Sequence, residues 1–216
     1  MEIREIGRFI VFEGIDGCGK GTQLKLVHNY LWDLSKENEI YSTREPTRHS
    51  KEIREKMQQG KDVENDKEWY AEHFIKDREN HSKNFIVPSQ LNGIYILCDR
   101  YKYSTLAYQQ TQGINLDKLI EMHSRYSIAE PDLTLIYDCQ AEIAYERRLK
   151  ENESAREVFD RDLEFQKKLR QNYLNLKKIL SEENIVIING NQEVEDVFKE
   201  TKKHIDKLFS KKSVEI

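Results

Sequence analysis

Proline, cysteine and long apolar runs are scarce in this sequence of 216 residues, which contains three prolines and three cysteines. None of the apolar runs approaches the roughly 18 residues that a membrane-spanning helix requires. The amino-terminal stretch MEIREIGRF also lacks the apolar core of a signal peptide. We therefore expect a protein that has no membrane partner.

The cysteines, Cys18, Cys98 and Cys139, are odd in number and form no C-x-x-C pair. This pattern favours buried, reduced thiols over a disulfide framework. Because reduced thiols are typical of a reducing compartment, we expect the protein to be cytoplasmic.

A basic excess is also absent, because 35 Lys and Arg residues are offset by 39 Asp and Glu residues spread along the chain. Proteins that bind nucleic acids usually show a basic excess or a basic stripe. The net charge of −4 therefore argues against a nucleic-acid partner and leaves room only for small, local cationic sites.

Short apolar runs alternate with longer segments of helical periodicity. The runs are continuous in Val, Ile, Leu, Phe and Tyr, as in strands that are buried on both faces of a parallel sheet. The predicted strands are Phe9–Glu13, Ile40–Thr43, Ile94–Cys98, Leu133–Tyr137 and Ile185–Ile188. The predicted helices are Lys20–Lys36, Ser50–Gln59, Lys67–Phe85, Ser104–Gln112, Leu116–Tyr126, Ala141–Glu151, Asp160–Glu182 and Glu193–Phe209. This order predicts an α/β fold of right-handed βαβ units in one domain, residues 1–216.

The few prolines, Pro46, Pro88 and Pro131, all fall outside the predicted helices. The segment Arg48–Asp66 is the most charged and irregular part of the chain. We interpret it as a mobile insertion and not as a domain boundary.

A glycine-rich segment, residues 13–22, follows the first predicted strand and opens the first predicted helix. It nearly matches the phosphate-loop pattern G-x-x-x-x-G-K-[ST], in which backbone N–H groups and the helix N-terminus hold phosphate oxygens. Lys20 is placed to reach the β- and γ-phosphates. We predict ATP binding by Gly14, Ile15, Asp16, Gly17, Cys18, Gly19, Lys20, Gly21 and Thr22.

The loop departs from the pattern at Gly21, and its hydroxyl comes one residue late, at Thr22. Mg²⁺ retains water readily and is commonly held by substrate phosphates and few protein oxygens. We therefore expect phosphates and water to fill most of the Mg²⁺ shell, with Asp16, Asp99 and Thr22 acting mostly through water.

Five stretches, in this order and spanning about Phe9 to Phe198, resemble thymidylate kinases, which are nucleoside monophosphate kinases. FEGIDGCGKGTQ resembles that family's phosphate loop, although its GKGTQ spelling is also similar to that of adenylate kinases. The other stretches are TREPT (Thr43–Thr47), HFIKDRENH (His73–His81), DRYKYSTLAYQ (Asp99–Gln109) and EPDLTLIYD (Glu130–Asp138). The resemblance implies a P-loop NTPase-type three-layer fold, with a five-stranded parallel sheet flanked by helices and a lid segment.

The resemblance implies transfer of the γ-phosphoryl group from ATP to dTMP with Mg²⁺, and a homodimer in which helices such as Lys67–Phe85 could pack across a two-fold axis. The sequence leaves dUMP or another deoxynucleotide open as the acceptor. A deoxynucleoside kinase with Glu45 as its base is an alternative, and so is a nucleotide-binding regulatory protein without turnover.

The acceptor-binding region implied by the resemblance covers residues 44–109. Phe74 would stack on thymine, and Arg78, four residues later on the same helical face, would donate to base or phosphate. Asp16 would reach the sugar 3′-hydroxyl or the water shell of the metal. Ser104, Thr105, Tyr108 and Gln109 would line the nucleoside pocket, with Tyr108 below the sugar.

Asp99 and Arg100 end a central predicted strand, at the sheet edge where open α/β sheets bind ligands. Arg100 can fork onto phosphate oxygens, and Asp99 can hold water around Mg²⁺. Arg44 could be a further phosphate clamp or could pair with Glu45.

A lid is expected at residues 145–161, where four arginines fall: Arg147, Arg148, Arg156 and Arg161. Some thymidylate kinases carry an arginine in the phosphate loop, where this chain has Gly17 and Cys18, so the resemblance implies a catalytic lid arginine. Arg147 and Arg156 are the predicted residues. Asn191, in the loop Asn189–Glu193, is expected near the adenine of ATP, which backbone groups of this loop would hold.

Overall fold

The computed structural model describes residues 6–58, 66–151 and 163–210. A parallel sheet of five strands forms its centre, in the order β2-β3-β1-β4-β5. The strands are β1 (Phe9–Glu13), β2 (Ile40–Arg44), β3 (Tyr95–Asp99), β4 (Leu133–Asp138) and β5 (Ile185–Asn189). The predicted α/β fold with a five-stranded parallel sheet is therefore confirmed.

Helices flank this sheet in the described residues. They are α1 (Lys20–Leu34), α2 (Lys51–Gln58), α3 (Lys67–His81), α4 (Val87–Leu91), α5 (Lys102–Thr111), α6 (Leu116–Ser124), α7 (Ala141–Glu151), α8 (Leu163–Ile179) and α9 (Val194–Ser210). Helix α1 packs against α9, and α5 packs against α8. Every residue of β1 is buried, because helices cover both faces of the sheet and leave this strand no solvent-exposed side. No helix in the described ranges is both long enough and apolar enough to cross a membrane.

Each of the strands β2 to β5 extends one residue beyond its predicted carboxyl end, and that last residue is polar. β2 ends at Arg44 and β3 at Asp99, and these two residues are register partners. Asp138 and Asn189 pair in the same way at the ends of β4 and β5. Backbone pairing continues past the apolar run, so the functional residues start on the rigid sheet.

Where the sequence predicted one helix, Lys67–Phe85, the structure has a longer and less regular helical segment. After α3 the chain forms a π-helical turn, Ser82–Ile86, and continues into α4, which contains Pro88. The prediction that Pro88 lies outside the helices was therefore wrong. In a regular α-helix this proline would clash with the carbonyl group of Asn84, and the wider π turn lies at that residue.

The other helices begin and end within a few residues of the predicted bounds. The predicted insertion at residues 48–66 contains α2, and its residues 59–65 lie outside the described residues. The start of the predicted helix Asp160–Glu182 also lies outside them. Cys18, Cys98 and Cys139 are buried free thiols, as predicted.

Candidate active site

A cleft with a volume of 430 Å³ lies at the carboxyl ends of the central strands. Asp16 follows β1, Glu45 follows β2 and Arg100 follows β3, and all three line it. Parallel strands place their carboxyl ends at one edge, which is why three distant segments meet there. The cleft is also lined by six residues that the family resemblance assigned to the acceptor pocket: Phe74, Arg78, Ser104, Thr105, Tyr108 and Gln109.

Arg100 is the central cation of the cleft. It is a non-glycine residue with a positive φ of 71°, a conformation that costs roughly 1–3 kcal/mol and persists only where the surroundings enforce it. Its guanidinium donates to Asp16, and it also reaches the hydroxyl oxygens of Ser104 at 3.2 Å and Tyr108 at 3.2 Å. These contacts hold the guanidinium beside the phosphate loop.

Asp16 faces cations from three directions. Arg100 and Lys20 both donate to its Oδ1, and Arg148 lies 3.6 Å from its Oδ2. Burial by itself raises the pKa of Asp16. The positive charges of Arg100, Lys20 and Arg148 outweigh burial and hold that pKa well below its ordinary value. Asp16 is therefore a carboxylate at neutral pH.

Arg44 is not among the described residues that line this cleft, and it does not pair with Glu45, one of the two roles predicted for it. Its guanidinium instead donates to Asp99 Oδ2, at 2.8 Å from Nε and 2.7 Å from Nη2. The register of β2 and β3 explains this pairing, because Arg44 is opposite Asp99. The other Asp99 oxygen, Oδ1, is buried and has no hydrogen-bond partner. It is therefore a free acceptor at the sheet edge.

Phe74 in this cleft is half-buried and stacks on Tyr70 with 5.9 Å between ring centroids. Arg78 lies deeper and is 2% exposed. Three of its five N–H groups contact side chains: Nε contacts Glu45 at 2.7 Å, Nη1 contacts His123 at 3.0 Å and Nη2 contacts Thr105 at 3.1 Å. Arg78 therefore has a fixed orientation at the floor of the pocket.

His123 makes two hydrogen bonds that assign its tautomer. Nδ1 lies 2.7 Å from the carbonyl oxygen of Leu119 and must donate to it. Nε2 faces the Arg78 guanidinium, which can only donate, so Nε2 accepts. Burial and then the Arg78 charge lower the pKa of His123 to about 3. This imidazole is neutral at neutral pH.

The phosphate loop has the predicted position between β1 and α1. Lys20 begins α1 and is buried, and its Nζ lies 3.3 Å from both Ile15 O and Asp16 Oδ1. Gly21 is in the first turn, where an added Cβ would meet nothing within 4 Å. Thr22 is exposed. The loop can therefore bind phosphate through its backbone without a side chain at position 21.

Helix α7 presses against this loop. Gly17 has a φ of 86°, and a Cβ on it would lie 2.2 Å from the carbonyl oxygen of Ala144 in α7. Arg148 is four residues after Ala144 and therefore on the same helical face, which carries it to Asp16. The structure thus brings Arg148 to the centre of the site.

Arg147, the predicted lid arginine of α7, contacts the loop after β5 and not the phosphate loop. It donates to the carbonyl oxygens of Gly190 at 2.7 Å and Gln192 at 3.1 Å. The Asn191 side chain accepts from the backbone N–H of Gln140 at 2.8 Å. Arg147 and Asn191 therefore build the loop predicted to hold adenine. The other lid arginines, Arg156 and Arg161, lie outside the described residues.

Among the described residues, Glu13 and Tyr173 contact the site, although the sequence analysis did not single them out. Glu13 is the last residue of β1 and contacts four donors at the cleft. The sheet-edge argument applied to Asp99 would have found it. Tyr173 in α8 lies 3.5 Å from Arg100 Nη1. It is 73 residues from Arg100, and no local pattern marks it.

The thymidylate kinase family model matches residues 12–201 of this chain. The chain is 37% identical over 196 residues to the probable thymidylate kinase of Pyrococcus horikoshii, covering 88% of this chain and 92% of that protein. It is 37% identical over 205 residues to the thymidylate kinase of Clostridium novyi, covering 91% and 97%.

A solved structure agrees with these sequence comparisons. The crystal structure of thymidylate kinase from Ehrlichia chaffeensis superposes with a TM-score of 0.71 at 26% identity. The match covers 93% of this chain and 98% of the other. Fold, cleft and sequence therefore agree: this chain belongs to the thymidylate kinase family of nucleoside monophosphate kinases.

Proposed function

We propose that the chain transfers the γ-phosphoryl group of ATP to the 5′-phosphate of dTMP, giving dTDP and ADP. The observation that carries this proposal is the position of Arg100. Its guanidinium is fixed between the phosphate loop at Asp16 and the pocket that contains Phe74 and Arg78. A nucleotide whose base lies on Phe74 places its phosphate at this guanidinium.

On the acceptor side, Phe74 stacks on the base and Arg78 donates to it. Thr105 and Gln109 line the nucleoside pocket beside Arg78. Tyr108 closes the sugar end, where its hydroxyl donates to Asp16 Oδ2 at 3.3 Å. Ser104 supports Arg100, and Asp16 faces the sugar 3′-hydroxyl.

On the donor side, the backbone of residues 14–22 holds the ATP phosphates and Lys20 reaches the β- and γ-phosphates. Adenine lies at the loop that Arg147 and Asn191 build. Arg148 supplies positive charge at the transferring group, since it already lies 3.6 Å from Asp16. Arg156 remains a second candidate for this role.

A general base is not required, because the acceptor is a phosphate with a second pKa of about 6 and is largely ionised near neutral pH. Catalysis then depends on alignment and on positive charge along the transfer axis. Lys20, Arg100 and Arg148 supply this charge. In the rival deoxynucleoside kinase, Glu45 would have to be a free base, whereas here its two oxygens contact Arg78 and His81.

The residues present fit a Mg²⁺ ion bound mainly by nucleotide phosphates. The unpartnered Asp99 Oδ1 can accept from a metal-bound water, as can Asp16, and Thr22 is free to add a hydroxyl. Within the described part of the chain, no group of three or more His, Cys, Asp or Glu side chains could form a protein cage for a metal. When bound, Mg²⁺ neutralises charge that develops on the β- and γ-phosphates.

An ADP-release assay with dTMP, dUMP, AMP, thymidine and no acceptor tests the proposal. We expect dTMP to have the highest kcat/KM and dUMP to be next, since one methyl group in an apolar pocket discriminates by about 1–3 kcal/mol. A higher kcat/KM for AMP than for dTMP would refute the proposed acceptor. Equal turnover of thymidine would indicate a nucleoside kinase, and no ADP release with any acceptor would indicate a regulatory protein.

We also propose that the chain acts as one domain and as a homodimer in the cytoplasm, with no nucleic-acid or membrane partner. The family resemblance supports the dimer, and the three buried free thiols support the compartment. Sedimentation equilibrium should give twice the chain mass of 25.8 kDa. A single-chain mass at assay concentrations would contradict the dimer.

A further inference from the structure

Glu13 is a carboxylate with no exposed surface, although it ends a strand at the edge of an open cleft. Burying a charged group costs free energy unless hydrogen bonds satisfy it. Oε1 accepts from the backbone N–H groups of Tyr101 at 2.7 Å and Ser104 at 3.0 Å. Oε2 accepts from the hydroxyl groups of Ser104 at 2.6 Å and Tyr173 at 3.0 Å. Each oxygen therefore has two donors.

The backbone bonds of Glu13 act on the residues directly after Arg100. Tyr101 and Ser104 form the amino-terminal end of α5, where no side chain of the N-cap residue satisfies the free N–H groups. Glu13 satisfies two of these groups and places a negative charge at the positive end of the helix dipole. It thereby secures the chain at the point where Arg100 takes its φ of 71°.

The hydroxyl bonds of Glu13 act on the guanidinium of Arg100. The Arg100 charge favours the ionised form of Glu13. In that form the carboxylate can only accept, so the hydroxyl protons of Ser104 and Tyr173 both point at Glu13. Their oxygens can then only accept from Arg100 Nη1, which lies 3.2 Å from Ser104 Oγ and 3.5 Å from the Tyr173 oxygen. The carboxylate thus orders both hydroxyl groups as acceptors for Arg100.

We propose that Glu13 is a positioning residue for the acceptor phosphate: through Ser104 and Tyr173 it fixes the direction in which Arg100 presents its guanidinium. The inference rests on the proposed function, because it assigns Arg100 to dTMP. Burial raises the pKa of Glu13, while the Ser104 hydrogen bond and the Arg100 charge oppose burial. The hydroxyl groups that contact Glu13 also lie against the Arg100 guanidinium, which favours a role in the site.

The central test is Glu13→Gln, which keeps the size but introduces an N–H donor. An amide cannot accept at all four contacts, so one or both hydroxyl groups must turn, and their oxygens are close enough, at 2.9 Å, to bond each other instead. We expect KM and Kd for dTMP to rise about 10- to 100-fold, the range for losing a hydrogen bond to a charged group. KM for ATP should change less than about twofold, since residues 14–22, whose backbone holds the ATP phosphates, are unchanged and Glu13 itself belongs to β1.

A matched control exists at the opposite end of β1. Asp132 is a carboxylate that accepts from the backbone N–H of Phe9 at 2.7 Å, away from the cleft. Asp132→Asn should lower the melting temperature and leave the ratio of the two KM values unchanged. If Glu13→Gln behaves like this control, Glu13 is only structural and the inference is wrong.

Tyr173→Phe provides a second, milder variant if Glu13→Gln does not fold. It should raise KM for dTMP several-fold, and it should add little when combined with Glu13→Gln, because both changes remove one connected set of bonds. An unchanged KM for dTMP in Tyr173→Phe, or full additivity in the double variant, would overturn the inference. Failure of the proposed function is seen separately, as absence of dTMP turnover by the unmodified protein.

Discussion

The acceptor half of the cleft and the donor half are built in different ways. On the acceptor side, side chains hold other side chains: Arg100 contacts Asp16, Ser104 and Tyr108, and Arg78 contacts three more groups. On the donor side, the loop offers mainly backbone N–H groups, Thr22 is exposed, and position 21 has no side chain. The first half depends on side-chain identity, whereas the second depends on the Lys20 side chain and otherwise on backbone conformation.

This difference has a physical cause in how each half recognises its ligand. A backbone N–H donates whatever the side chain is, so a glycine at position 21 is tolerated if the loop keeps its shape. A buried side-chain network loses more when one member is removed, because the remaining polar groups stay buried without partners. We therefore expect the acceptor half to be more sensitive to size-preserving substitutions.

The largest effect is expected for the principal cation of each half. Lys20→Ala and Arg100→Ala should each reduce kcat/KM by about 10³- to 10⁵-fold, the range for charge on the transferring phosphoryl group. Arg100→Ala should chiefly raise KM for dTMP, whereas Lys20→Ala should act on ATP-dependent turnover. Steady-state kinetics with each substrate varied in turn measures the split.

Arg125→Ala is the control, since Arg125 pairs with Glu121 on an exposed helical face. It should leave kinetics and melting temperature nearly unchanged. If Arg100→Ala changed KM for dTMP and KM for ATP equally, the acceptor half and the donor half would not be functionally separate.

The second effect concerns two neighbouring arginines of α7. Arg148→Ala should lower kcat by about 10²- to 10³-fold, as loss of one preorganised donor at a developing charge does. Arg147→Ala should mainly raise KM for ATP, because Arg147 holds the backbone of the Gly190 loop. Single-turnover rates at saturating ATP separate the two. Full activity in Arg148→Ala would contradict this assignment and leave Arg156 as the candidate. Arg156→Ala should then lower kcat.

The third effect tests the donor loop itself. Thr22→Ala should cost about 1.5–3 kcal/mol in ATP-dependent turnover, the range for a hydrogen bond to a charged group. Gly21→Ser should stay within a few-fold of the parent, because its Cβ meets no atom within 4 Å. A magnesium titration of both variants measures this. A large loss in Gly21→Ser would show that this loop depends on side chains as the acceptor half does.

The last effect concerns stability and not turnover, and it belongs to the acceptor half. The folded pKa of His123 is about 3, below the ordinary value of 6.5, so the unfolded chain binds one more proton between these values. Stability should therefore fall as pH decreases through this window, by at most about 1.4 kcal/mol per pH unit. His123→Gln, which can still accept from Arg78, should flatten this dependence in urea unfolding.

A matched control for His123→Gln is His28→Gln, at a histidine whose hydrogen bond to Ser42 is exposed. It should leave the pH dependence as in the parent. If His123→Gln gives the same slope as the parent between pH 3 and 6.5, His123 does not contribute to the acid sensitivity of the fold.

Local patterns predicted the strands and the phosphate loop well. The run FIVFE became β1 at the predicted bounds, and Lys20 began α1 as predicted. Both features depend on contacts between near neighbours: a buried strand needs a continuous apolar run, and a phosphate loop needs glycines at fixed spacing. Pro88 was misplaced because the π turn before it has no local signal that we recognised.

The sequence by itself determined which elements form, and where the phosphate loop, Phe74 and the Asp99-Arg100 pair lie along the chain. The tertiary structure decided the partners of the charged groups. Arg44 meets Asp99 through strand register, and Arg148 reaches Asp16 because α7 packs on Gly17. The Tyr173 hydroxyl reaches Glu13 across 160 residues. Such partners cannot be read from periodicity, because an ion pair depends on where folded elements cross and not on their spacing in the chain.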